Sequence, residues 1–216
     1  MSCFKDASFE FLRGVARNFE LLPLSEDQQV LIQTLDQKLP LEWMAQCTQY
    51  LREAGPKNLV NRYAEDSHLS HDIDQEHIRP KEQRLLNDLT SAICELPRPH
   101  RNFNAFRVMK HETGLEQGSA FKIRIPMDCS VNPAIITDLY QKDLKHGQHN
   151  NKSKFYAVDI VIPHEAAVGY HANMGRVILP IGAEIVVFKS EFTKTWYVGD
   201  TPFEIPTMRW IYVGLK

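Results

Sequence analysis

The run over residues 66–77 concentrates the chain's metal-binding residue types, with His68, His71 and His77 set among Asp66, Asp72, Asp74 and Glu76. Two histidines three apart can share a helix face and bind zinc, but a zinc site also needs surrounding groups that orient its ligands. No apolar periodicity accompanies this run, so it reads as a solvated linker, and no metal is expected. Cys129 with a histidine, one of His111, His164 or His171, would make a nucleophile and base. No nucleophile motif surrounds that cysteine, and a solitary Cys in a strand reads as a small core residue. The glycines of Gly114-Leu115-Glu116-Gln117-Gly118 mark a turn, and no Gly-Lys-Ser/Thr follows, which excludes a kinase or a nucleotide hydrolase with a phosphate loop.

The elements that would carry any site change character halfway along. Ser25-Glu26-Asp27-Gln28 reads as an N-cap opening a helix that breaks at Pro40. A second helix is predicted over residues 41–54, with Trp43, Met44, Cys47, Tyr50 and Leu51 on one face and Gly55-Pro56 ending it. A third begins near Asn58. The fourth starts at Pro80, carries the stripe Leu85, Leu86, Leu89, Ile93 and Leu96, and stops at Pro97 and Pro99. Beyond these prolines the pattern turns to β-branched and aromatic runs, predicting strands over 103–109, 120–125, 154–162, 176–179, 184–189, 195–198 and 208–213. A short helix opens at Asn132-Pro133 and closes near Tyr140. The fold class expected is α+β, with helices first and strands after.

Composition narrows the partners. The 216 residues are 43% hydrophobic and 24% charged, enough for a packed core. A net charge of -2 offers no bulk positive field for a phosphate backbone, so nucleic acid is not an expected partner. Four scattered cysteines suit free thiols in a reducing compartment. No apolar run reaches the ~20 residues a membrane-spanning helix requires, and no uninterrupted apolar signal region opens the chain. A soluble cytoplasmic protein without a cleavable signal is the expectation.

Three segments, in order, resemble the mono-ADP-ribosyltransferase exoenzymes, the class with an Arg, a Ser-Thr-Ser and a Glu-x-Glu signature. The stretch LTSAICELPRPHRNFNAFRV is similar to that family's helix, prolines and first strand, and puts Phe106 and Arg107 on the aromatic-Arg pair. IPMDCSVNPAIITDLY resembles the Ser-Thr-Ser strand running into a short helix, with Asp128, Cys129 and Ser130 in those places. FYAVDIVIPHEAAVGY followed by NMGRVILPIGAEIVV resembles the third segment, where Met174 and Arg176 stand in the two acidic positions. The resemblance covers roughly residues 85–187.

It implies a mixed, split β-core at 98–216 and a helical cap or target-recognition portion at 1–97, in which Trp43, Met44 and Tyr50 form either a partner face or core packing. It further implies NAD as cofactor and a protein target. Splitting the nicotinamide-ribose bond asks for a cation at the diphosphate and a carboxylate near the developing positive charge. Arg107 would hold the diphosphate, with Phe106, Ser130 and His171 beside the nucleotide. Arg176, in the catalytic position, would oppose a cation about 4 Å away by ~4 kcal/mol at an effective dielectric of 20. Two outcomes follow. Either Asp128 pairs with Arg176 and the fold survives as a silent binding module or inhibitor, a pseudoenzyme, or a carboxylate from Asp128, Glu165 or Glu184 takes over the transfer. The catalytic candidates are thus Asp128, Glu165 and Arg176, in a toxin-like effector, a glycosyltransferase by chemistry, acting in a cytoplasm, that of a host cell if delivered.

Overall fold

The computed structural model describes residues 20–21, 39–65, 78–109, 116–145, 155–172, 175–198 and 201–215. The helix predicted from Ser25, the His68–His71–His77 run, His111, Gly114 and Met174 lie outside them.

Three helices precede the main strands. Helix α1 (Leu41–Ala54) buries Trp43, Cys47 and Leu51, four apart, which is one stripe of a 3.6-residue period. It ends where predicted, at Gly55, whose φ of 76° is open to glycine at little cost. Helix α2 (Leu59–Glu65) starts one residue after Asn58, whose side chain accepts the Val60 N–H at 2.9 Å. The buried Asn61 amide then donates to the carbonyls of Leu51 and Gly55, at 2.9 and 2.8 Å, satisfying the end of α1 and fixing α2 against it. Helix α3 (Pro80–Cys94) has proline in its first turn and a reciprocal Arg79 and Glu82 cap. Its buried face is Leu86, Leu89 and Ile93.

The strands are β1 (Glu20–Leu21), β2 (Phe103–Met109), β3 (Ser119–Lys122), β4 (Met127–Ser130), β5 (Tyr156–Ile162), β6 (Gly169–His171), β7 (Arg176–Leu179), β8 (Ala183–Val198) and β9 (Thr201–Leu215), with α4 (Ala134–Lys145) between β4 and β5. They form one ladder in the order β1-β3-β8-β9-β5-β2-β4-β7-β6. All neighbours are antiparallel except β5 and β9. The protein is α+β, with helices ahead of a mixed, mostly antiparallel sheet.

Strand β5 is buried at every position, as an inner strand covered on both faces must be. Its neighbours β2 and β9 share the main apolar cluster with α1, α2 and α3. A smaller cluster forms around Ile136 of α4, with Phe155, Ala157, Trp196 and Ile205. The indole of Trp43 donates to the Pro97 carbonyl at 2.8 Å and packs on Phe103 and Tyr170, so α1 is anchored where the chain enters β2. No described helix is long and apolar enough to cross a membrane.

Three expectations shift. The separate strands over 184–189 and 195–198 are one strand, β8, whose irregular pattern is absorbed by register shifts between Glu184 and Phe192. Strand β9 begins at Thr201 despite Pro202 and Pro206, because β5 pairs with it only from Thr207 onward and those prolines interrupt no outer ladder. Strand β6, three residues long, carries too little pattern to be read from sequence.

Candidate functional site

Phe106, Ser130, Arg176 and His171 are successive cross-strand partners: Phe106 of β2 opposes Ser130 of β4, which opposes Arg176 of β7, which opposes His171 of β6. Directly opposed residues are nearest neighbours on a sheet, so four residues far apart in sequence form one row. Asp128 lies two places along β4. Its carboxylate Oδ2 is 3.9 Å from Nη1 of Arg176, with both side chains largely shielded from water. Arg107, next to Phe106, donates through Nη1 to the Asp128 carbonyl at 2.8 Å. Five of the seven candidates, Arg107, Asp128, Ser130, Arg176 and His171, therefore lie around β4 and β7, while Phe106 holds its place in the row by backbone register.

Glu165 does not join them. It sits exposed in the loop between β5 and β6, its N–H held by the Pro99 carbonyl at 2.7 Å, with φ at 61°. No described contact links its carboxylate to Arg107, Asp128 or Arg176. Glu184, the third possible replacement carboxylate, is buried opposite Lys122, and β9, β5, β2 and β4 separate its strand from β7. Asp128 is thus the one candidate carboxylate with a described contact to Arg176, while Arg107 holds the same residue by its backbone carbonyl.

Local chemistry positions each group. The Ser130 hydroxyl accepts the Asn132 N–H at 3.0 Å, and Asn132 in turn accepts that of Ala134 at 3.0 Å, so Ser130 and Asn132 turn the chain from β4 into α4. Gly175, at a φ of 58°, brings Arg176 beside β4: its carbonyl accepts the Val131 N–H at 3.0 Å. The ring of Phe106 packs edge-on against Trp196, 5.7 Å between centroids, and belongs to the smaller core. Cys129 is buried and its thiol is pushed up to about 12, chiefly by burial and slightly by Asp128, against a lowering from Arg107. It is a protonated core thiol at neutral pH, which removes a thiolate nucleophile. Among the described residues, no three His, Cys, Asp or Glu side chains converge to hold a metal ion.

The last turn of α2 supplies a wall that sequence reasoning missed. Its residues Tyr63, Ala64 and Glu65 each reach the site. The Tyr63 hydroxyl donates to the Pro126 carbonyl, just before β4, at 3.4 Å. The Ala64 carbonyl accepts from Arg176 Nη1 at 3.1 Å. The Glu65 carboxylate is 4.0 Å from Nε2 of His171. Burial, then the charge of Asp128, raises the Tyr63 phenol above its ordinary value, with Arg176 and Arg107 pulling the other way. Burial holds His171 below its usual 6.5; Glu65 opposes that shift and Arg176 adds to it. The apolar pattern of α2 marks it as a packed helix, but not which strand junction it covers.

No family model matches the sequence, and no curated protein matches it. The solved structures similar to this chain include ADP-ribosyltransferase toxins. Plx2a, such a toxin from Paenibacillus larvae, is 11% identical over 99% of this chain and 100% of its own, with a TM-score of 0.43. C3stau2 from S. aureus, solved with NAD, is 11% identical over 86% of this chain and 92% of its own, with a TM-score of 0.43. The enzymatic component C2-I of the C2 toxin from Clostridium botulinum is 12% identical over 88% of this chain, with a TM-score of 0.45, and this chain spans 46% of its length. At these values the likeness is one of shape alone.

Proposed function

We propose that the chain is an ADP-ribosyltransferase-like effector whose site has exchanged its charges between strands: Asp128 of β4 carries the carboxylate and Arg176 of β7 the cation. The observation that carries this reading is the Asp128 to Arg176 pair at 3.9 Å, with the Arg107 guanidinium bonded to the Asp128 carbonyl beside it. The two guanidiniums fit a dinucleotide diphosphate, and the Asp128 carboxylate fits a developing positive charge. NAD bound there would supply an ADP-ribosyl group whose departure from nicotinamide makes the ribose carbon electron-poor. Arg107 binds the diphosphate. Asp128 presents its carboxylate toward the reacting carbon. Arg176 is turned toward two negative partners, the carboxylate and the Ala64 carbonyl, which screen the repulsion it would otherwise exert. A protein rather than a nucleic acid is the acceptor, in the cytoplasm of a cell that receives the effector. Residues 1–97 serve as cap and target-recognition portion over a core at 98–216.

The Arg176 to Ala64 bond favours a second reading, in which α2 and the ion pair shut the site and the protein binds or inhibits without turnover. NAD hydrolysis and automodification by the purified protein separate the two. Turnover by the wild type that is lost in both Arg107→Ala and Asp128→Ala supports transfer. A thermal shift with NAD but no turnover supports the silent binder; ligand at 100 times its dissociation constant adds ~2.7 kcal/mol of stability. Neither shift nor turnover overturns both.

A further inference from the structure

We propose that Arg176 is a two-pronged receptor for a phosphate-type oxyanion, held ready by the last turn of α2. The receptor rests on the geometry of this arginine, and only the choice of a dinucleotide diphosphate as its ligand rests on the transferase-like reading.

The contacts of Arg176 within the described residues all run through one nitrogen. Nη1 donates to the Ala64 carbonyl at 3.1 Å and lies 3.9 Å from Asp128 Oδ2. Nε and Nη2, the side-on fork of the guanidinium, meet no described acceptor. The side chain keeps 18% of its surface exposed. A planar fork of two parallel N–H groups matches two oxygens of a phosphate, and its orientation is set before any ligand arrives. Both partners of Nη1 are negative at that point: the C-terminal carbonyl end of a helix, with its partial charge, and a carboxylate. They restrain the guanidinium without occupying its fork, so binding costs little side-chain entropy. Arg107 is the second cation, fixed to the Asp128 carbonyl at 2.8 Å. Arg107 and Arg176 face the carboxylates of Asp128 and, at His171, of Glu65, so it is the guanidinium fork rather than a net charge that takes the dianion. Arginine at this position therefore serves as a ligand-binding group and as the cap of α2 at once.

The test uses the full chain and inorganic pyrophosphate. Titration followed by calorimetry and by the side-chain 15N signals of arginine should give binding, with movement of the Arg176 Nε resonance identified by its loss in Arg176→Lys. Lysine can still reach the Ala64 carbonyl and pair with Asp128, but it has no fork. Arg176→Lys should weaken pyrophosphate about tenfold or more while hydrogen exchange of the α2 amides stays as in wild type. Equal affinity in Arg176→Lys overturns the proposal, and so does an unmoved Nε resonance at saturation in the wild type, a result that needs no variant to fold. O-phosphoserine, the phosphate a partner side chain would present, should bind at least tenfold more weakly; the reverse preference overturns the nucleotide assignment. NAD turnover without any pyrophosphate effect at Arg176 would sink the receptor and spare the transferase reading. Pyrophosphate held by the fork without NAD binding or turnover would do the opposite.

Discussion

Substituting Asp128→Asn and Arg176→Gln, singly and together, tests whether the two charges are energetically coupled. Two unit charges 3.9 Å apart attract by about 1 kcal/mol in bulk water and about 4 kcal/mol at an effective dielectric of 20. The side chains are 18% and 26% exposed, so the pair lies between these limits, and desolvation offsets part of the gain. A coupling energy of about 1–2 kcal/mol is expected from the double-mutant cycle. Arg176→Gln alone should cost more than the coupling, because the amide replaces a charged donor to the Ala64 carbonyl that ends α2. Urea unfolding of the four proteins, with slopes compared to ensure one transition, supplies the numbers. The cycle should shrink at 1 M salt less than that of a fully exposed pair, since both side chains are largely shielded from water. Purely additive effects, with coupling below about 0.3 kcal/mol, would refute the claim that these charges compensate each other, because charges in contact depart from additivity.

Three further outcomes follow from the same geometry. Asp159 of β5 is fully buried between Arg209 at 2.7 Å and Lys194 at 3.5 Å; Asp159→Ala should cost about 2–3 kcal/mol by denaturant unfolding, below the full penalty of a buried orphan because both cations keep some exposure. A loss under half a kcal/mol would show that the cluster holds nothing together. Gly175→Ala forces a side chain into φ of 58° with its Cβ 3.0 Å from Val131, and should destabilise by about 1–2 kcal/mol; Gly175→Asn, more tolerant of this conformation but carrying the same Cβ, should differ from it by less than the cost itself, and an unchanged melting temperature in Gly175→Ala would contradict the turn. Because burial depresses the folded-state value of His171 below 6.5, the unfolded chain binds the extra proton first, so stability should fall as pH drops below about 6.5. His171→Asn should flatten that slope in a pH series of unfolding midpoints; an identical slope would mean that this histidine does not titrate differently on folding.

Where the chain forms helices was legible because local chemistry sets it. Pro40 and Gly55 bracket α1, Asn58 opens α2 and Pro80 starts α3, each through a backbone restriction that acts within a few residues. The change to β-branched runs after Pro99 announced the strands in the same way. Two short strands escaped: Gly169–His171 carries too few residues to show an alternation, and Met127–Ser130 was visible only through a family resemblance, whereas the equally short Arg176–Leu179 was read from its β-branched run. The resemblance also named Phe106, Arg107, Asp128, Ser130, Arg176 and His171 as neighbours, and strand register sets them side by side. Its remaining candidate, Glu165, is exposed in a loop that directs its carboxylate to no described partner, a matter of loop path rather than of residue type.

Nothing local told which of three carboxylates would lie at the site, or that the end of α2 would lie against Arg176. The choice between Asp128 and Glu165 depends on strand pairing and on the loop that carries each, both properties of the assembled sheet. The turn Tyr63-Ala64-Glu65 reads as the end of an ordinary amphipathic helix, and its backbone carbonyl, identical in every residue, becomes a ligand for Arg176 only because packing sets it there. Residue types fix which charges the chain carries and where its helices start. Distances between polar groups 48 and 112 residues apart are set by how the sheet folds and what it is packed against, and it is those distances that make the site.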